Sequence, residues 1–190
     1  MSSAAIAADV TVRLKTTAGQ PVRDAVVTVY PVGGGGGAYK PDAPLRIAQK
    51  DIQFDPFVII VPVGAEVAFP NLDKVRHHVY SFSPAKRFQL KLYGREETRT
   101  VKFDTVGVVA LGCNIHDQMA AFVKVVDTPF AAKTDASGVA VVRGAPAGAV
   151  TVKIWQPYMK TSGNEIVRTV TLPREGLAQD NAIELRTYAR

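Results

Sequence analysis

The sequence predicts an all-β protein. Three observations carry that prediction. The apolar runs are short and rich in Val, Ile and Phe, they are bounded by Gly, Pro, Asn or Asp, and none sustains a helical period. In the first run, Asp9 to Leu14, the apolar residues Val10, Val12 and Leu14 alternate with polar ones, as a half-buried strand requires. Thr17 to Pro21 reads as a turn built on Gly19 and Gln20, and Ala25 to Tyr30 as the returning strand. Gly33 to Gly37 is a run of five glycines, read as an exposed loop tip. A phosphate-binding loop is discounted there, because no helix and no Lys-Ser/Thr pair follows. Strands are then expected at Phe57 to Val61, Glu66 to Phe69, His78 to Phe82, Phe88 to Leu92, Thr100 to Phe103, Val108 to Leu111 and Ala121 to Val126. Further strands are expected at Gly138 to Val142, Ala149 to Trp155, Ile166 to Leu172 and Ala182 to Leu185. Many short strands at such spacing predict β-sandwiches. Short helical pieces are expected only at Gln49 to Phe54 and in the turn after His116.

Composition narrows the function classes. With 190 residues, 47% of them apolar, the chain can bury one large core or two small ones. No apolar stretch is long enough to span a bilayer as a helix. The net charge of +6 is spread among residues of both signs, and no recognition helix or aromatic-lined basic platform points to nucleic acid. A basic strip runs through Lys86, Arg87, Lys91, Arg95, Arg99 and Lys102. It reads as a solvated strand face or, more sharply, as a docking surface for an acidic partner. The single cysteine excludes an intrachain disulfide. Ala5-Ile6-Ala7 has the small-x-small form of a leader cleavage site, which leads us to expect an exported, periplasmic protein.

The chemistry-bearing residues are few and clustered. All three histidines, the one cysteine and one of three methionines fall between His77 and Met119. Cys113-Asn114-Ile115-His116-Asp117-Gln118-Met119 places His and Met three and six residues after Cys, an arrangement that random placement at these frequencies gives roughly once in four thousand. Taken singly, Cys113 and Met119 would more often be inert core residues. Together, a thiolate, imidazoles and a thioether form the soft nitrogen-and-sulfur set that suits copper in a trigonal site with a long axial bond. Zinc is the rival ion, but thioether is a poor zinc ligand. The second imidazole must come from another strand. His77 or His78 can supply it, but not both, since adjacent strand residues face opposite sides.

The window resembles a cupredoxin. The resemblance rests on Gly64-Ala65-Glu66-Val67-Ala68-Phe69, Asn71, His77-His78-Val79, Val101-Lys102-Phe103, Gly107 and the Cys113 loop, covering roughly residues 46 to 127. Its Cys-x2-His-x2-Met loop is similar to the short loop of amicyanin. The resemblance implies one copper ion cycling between copper(I) and copper(II), with His77, Cys113, His116 and Met119 as ligands. It puts His78 in the place of an Asn whose backbone N–H hydrogen-bonds the metal-bound sulfur, with Asn71 and Asp117 also beside the ligand set. Amicyanin-like loops carry Pro next to the second His. Here Ile115 and Asp117 flank His116, so a less stiff loop is expected.

The flanks carry a second pattern. Gly19-Gln20-Pro21-Val22 with Ala25-Val26-Val27, and Thr134 to Gly138 leading into Gly144 to Val150, resemble two halves of a carboxypeptidase regulatory-like, transthyretin-type sandwich. The expected layout is therefore a discontinuous flanking sandwich, residues 9–45 plus 128–188, with a Greek-key copper domain at 46–127. The expected function is electron carriage between periplasmic redox partners such as a c-type cytochrome or a dehydrogenase, without catalysis. A copper(I) carrier or sensor, or a structural sandwich with a vestigial site, are the alternatives. Three histidines cannot build the additional sites of a multicopper enzyme.

Overall fold

A computed structural model describes residues 7–34 and 37–187. The leader-like start through Ile6, and Gly35 and Gly36 within the glycine run, lie outside the described residues. The protein is all-β: the described residues form sixteen strands and a single 3-10 turn, with no α-helix among them. The chain divides into two compact units, one joining residues through Gly37 to those from Thr128 onward, the other spanning residues 38–127.

The discontinuous unit opens with β1 (Ala7–Thr16) and β2 (Val26–Pro31). The second unit follows, with β3 (Ala48–Lys50), β4 (Gln53–Asp55), β5 (Val58–Pro62), β6 (Ala65–Pro70), β7 (His77–Ser83), β8 (Lys86–Tyr93), β9 (Thr98–Phe103), β10 (Gly107–Cys113) and β11 (Ala120–Val126). The first unit then resumes as β12 (Ala131–Lys133), β13 (Val139–Pro146), β14 (Gly148–Trp155), β15 (Glu165–Leu172) and β16 (Leu177–Ile183). In that unit one sheet runs β13-β1-β16 and the other β12-β2-β14-β15. Val10, Val12 and Leu14 of β1 pack with Val27 and Val29 of β2 and Val150, Val152 and Ile154 of β14 in one core. Burying each such side chain stabilises the fold by about 1.5–3 kcal/mol.

The 38–127 unit has a five-stranded sheet in the order β5-β11-β10-β7-β8 and a pair, β6-β9. Val67, Phe69, Val101 and Phe103 of the pair share a core with Val79, Val109, Leu111, Ala121, Val123 and Val125 of the larger sheet. Strand parity decides which residues enter that core. Cys113 lies opposite Val79 and Gly112 opposite Tyr80, so Cys113, Val79 and His77 point inward while Gly112, Tyr80 and His78 face outward. The two sulfur- and nitrogen-bearing side chains thus meet at the end of the layer from strands 36 residues apart.

Three local expectations change. Gln49 to Phe54 is not helical. It is the β3–β4 hairpin, with Gln49 opposite Phe54 and a tight turn in which Asp51 and Ile52 both take positive φ, 54° and 56°. Such a turn ordinarily advertises itself with Asn or Gly. Here its two amides are instead held by a remote carboxylate, Asp73, at 2.6 and 3.1 Å, which no local reading could reveal. The segment after His116 is a turn rather than a helical piece. The last strand begins earlier than expected, at Leu177, because its pairing is parallel to β1, from Val10 opposite Leu177 to Thr16 opposite Ile183.

Candidate metal centre

The centre is built from β7, β10 and the loop between β10 and β11. His77, fully buried at the start of β7, places Nδ1 3.7 Å from Cys113 Sγ at the end of β10. The chain then turns through Asn114 and Ile115 to His116, whose Nδ1 also lies 3.7 Å from that sulfur. The donor atoms of all three residues lie within 4.8 Å of one another, and the two imidazole centroids are 5.1 Å apart. Two main-chain bonds close the loop: Asn114 N–H donates to the His78 carbonyl at 3.1 Å, and Met119 N–H to the His116 carbonyl at 3.0 Å. Met119 is buried in the same core cluster as Cys113, whereas His116 is partly exposed.

Asp73, which spacing alone did not suggest, sits behind this cluster. Its carboxylate accepts from His77 Nε2 at 2.7 Å as well as from the Asp51 and Ile52 amides. Burial pushes its carboxyl up, but the bonds from His77 and the two amides outweigh that and hold it below the ordinary carboxylate range. An ionised carboxylate only accepts hydrogen bonds, so Nε2 of His77 carries the proton. In the neutral ring Nδ1 then presents its lone pair to the sulfur. This is the arrangement by which a carboxylate orients a metal-binding imidazole. The only advance signal was a carboxylate four residues before a histidine, too common to single out.

Asn71 shapes the loop that carries Asp73. Fully buried, it donates through Nδ2 to the carbonyls of Val75 (2.9 Å) and Tyr93 (3.1 Å) and accepts at Oδ1 from the Asp73 amide (2.9 Å). Beneath it, the Tyr93 hydroxyl bridges the Gln49 side chain and the Phe69 carbonyl, and burial pushes that hydroxyl up in pKa. His78 is partly buried on the outer face and meets the loop through its carbonyl. Asp117 is exposed beside His116.

The donor set fits a soft ion. A metal about 2.3 Å from sulfur and 2.0–2.1 Å from nitrogen, with angles between tetrahedral and trigonal, sets sulfur about 3.6–3.8 Å from each nitrogen. Both observed separations are 3.7 Å. A thiol proton could satisfy only one of the two nitrogens at a time, whereas one ion engages both.

No family model matches the chain, and no curated protein does. Several solved structures are similar over about half of it. A reduced variant of amicyanin has 17% identity and a TM-score of 0.41, covering 53% of this chain and 98% of that one. A purple cupredoxin from Nitrosopumilus maritimus has 22% identity and a TM-score of 0.39, covering 43% and 98%. A copper-containing nitrite reductase from Thermus scotoductus has 26% identity and a TM-score of 0.42 over 51% of this chain. The chain spans only 25% of that enzyme's length.

Proposed function

We propose that the chain binds one copper ion through Cys113, His77 and His116, with Met119 as a weak axial ligand, and carries single electrons between periplasmic protein partners. The observation that supports this most strongly is the pair of imidazole Nδ1 atoms, each 3.7 Å from one buried thiol, one of them pre-oriented by Asp73. Bound copper would supply a one-electron couple. The residues would supply the rest: Cys113 the strongest bond, His77 a rigid buried donor, and His116 a partly exposed edge through which an electron can leave. His77 and Cys113, held on two paired strands, would move little between oxidation states, which favours fast exchange over catalysis. Met119, buried in the same cluster as Cys113, would add a fourth, weaker donor, and a site so filled would leave no coordination position open for substrate. The other unit is read as a carboxypeptidase regulatory-like sandwich. Its two sheets around one core agree with that reading.

The deciding experiment is an absorption and EPR spectrum after one equivalent of copper(II), repeated with Cys113→Ser. An intense visible thiolate-to-copper band is expected, and the substitution should abolish it. A protein that binds copper(I) tightly yet shows no such band with copper(II) would favour metal carriage instead. A chain that binds neither ion would leave only a structural sandwich.

A further inference from the structure

The residues of the basic strip differ in their partners. Lys86 and Lys102 both pair with Asp104, at 3.8 and 3.1 Å, and Arg99 pairs with Glu97 at 2.8 Å. Arg87 and Lys91 enter no ion pair among the described residues, and both are exposed on β8, the edge strand of the five-stranded sheet. Arg87 lies opposite Phe82 in the register, and Phe82 is 65% exposed, a high value for an aromatic side chain. Its ring meets that of Tyr80 at a tilt of 41°, with centroids 5.1 Å apart. Tyr80 in turn lies across Gly112: a Cβ placed there would come within 2.8 Å of the tyrosine Cζ and Oη. Gly112 is bonded to Cys113. The outward positions of β7, β8 and β10 include these two cations and no carboxylate.

We infer that this face is a second electron port, where an acidic redox protein docks on Arg87, Lys91 and Phe82. There it exchanges one electron with the centre through Tyr80, Gly112 and Cys113. The inference rests on the copper reading. The edge at His116 is a different exit, on the loop between β10 and β11. The two exits would let a donor and an acceptor engage separate surfaces. Charge selects the occupant: two unpaired cations around an exposed aromatic attract an anionic surface and speed its encounter, an effect that salt screens. Gly112 is required by the same geometry, since any side chain would displace the Tyr80 ring from the main chain beside the thiol.

The test uses two anionic probes on the full chain. Hexacyanochromate(III), paramagnetic and redox-inert, should broaden the NMR signals of Phe82, Arg87 and Lys91 with or without copper, and Arg87→Glu with Lys91→Glu should remove that broadening. Hexacyanoferrate(III) should oxidise the copper(I) protein, taking one electron as iron(III) becomes iron(II) and copper(I) becomes copper(II), with no proton moved. The double variant should slow this by about tenfold at low salt, with the gap closing as salt rises. Tyr80→Leu should leave the broadening intact and still slow oxidation several-fold, while Tyr80→Phe, which keeps the ring on Gly112, should stay near the unmodified rate. Broadening confined to the His116 loop, or oxidation unchanged in the double variant and in Tyr80→Leu, overturns the port while the copper band stands. Absence of the band in the unmodified protein removes the copper reading and, with it, the electron path.

Discussion

Asp73 shows how much of a metal centre resides in residues that touch no metal. Its carboxylate joins three donors, the His77 ring and two hairpin amides, so it fixes both the tautomer of a proposed ligand and a turn with two positive φ values. Asp73→Asn keeps the shape but offers only one acceptor oxygen and no charge. Copper(I) affinity, measured by competition with a chromogenic chelator, should fall about 10–100-fold, with the visible band weakened rather than lost. An unchanged affinity would mean that packing alone orients His77. Cys113, His116 and Met119 were legible as a group because their spacing is local. Asp73 was not, because its role exists only once β7 and the β3–β4 hairpin are in place.

At the scale of elements, the turn before β13 joins two predictions to one piece of geometry. Gly138 has φ of +77°, and a Cβ there would collide with the Leu14 carbonyl and approach the Val22 amide at 3.0 Å. Gly138→Ala should therefore destabilise the protein by about 2–4 kcal/mol, read from denaturant midpoints, because β1 would have to shift. The adjacent Asp135 carboxylate accepts from the Ser137 hydroxyl at 2.6 Å and the Val139 and Ser137 amides at 3.0 and 2.9 Å. The Ser137 hydroxyl first, then the Val139 amide, hold its carboxyl below the ordinary 3.8. A depressed folded-state pKa contributes stability above the unfolded value and loses it as pH falls through the folded one. The Ser137 and Val139 amide shifts should therefore titrate with a midpoint below 3.8, and a midpoint above it would show that the turn does not favour the ionised form. Most strands were readable from alternation and turn residues. The three-residue β12, Ala131–Lys133, was not: Ala-Ala-Lys has no β-branched residue, and only pairing with Val26 to Thr28 of β2 makes it a strand.

At the scale of the molecule, two units with separate cores share one chain. The chain leaves and re-enters the discontinuous unit at neighbouring points, since a Cβ on Gly37 would lie 3.9 Å from Pro129. Closing so small a gap with a short linker costs little loop entropy. Excising residues 38–127 and joining the ends through two or three glycines should leave a cooperatively folding β protein, followed by circular dichroism on heating, that binds no copper at one equivalent. Loss of cooperative unfolding would show that the discontinuous unit depends on the inserted one.

Local chemistry was enough to determine the strand-rich character, most turn positions and the spacing of the Cys113 loop, because alternation, turn residues and ligand spacing are short-range properties of the chain. Strand alternation left His77 and His78 open and only the resemblance implied His77; tertiary pairing is what turns His77 to the thiol, sets Asp73 behind it, makes Gln49 to Phe54 a hairpin and lays Tyr80 on Gly112. Each of these depends on register between strands far apart in sequence. A shift of one residue in that register would reverse every side chain, and nothing local to the residues concerned records which register wins.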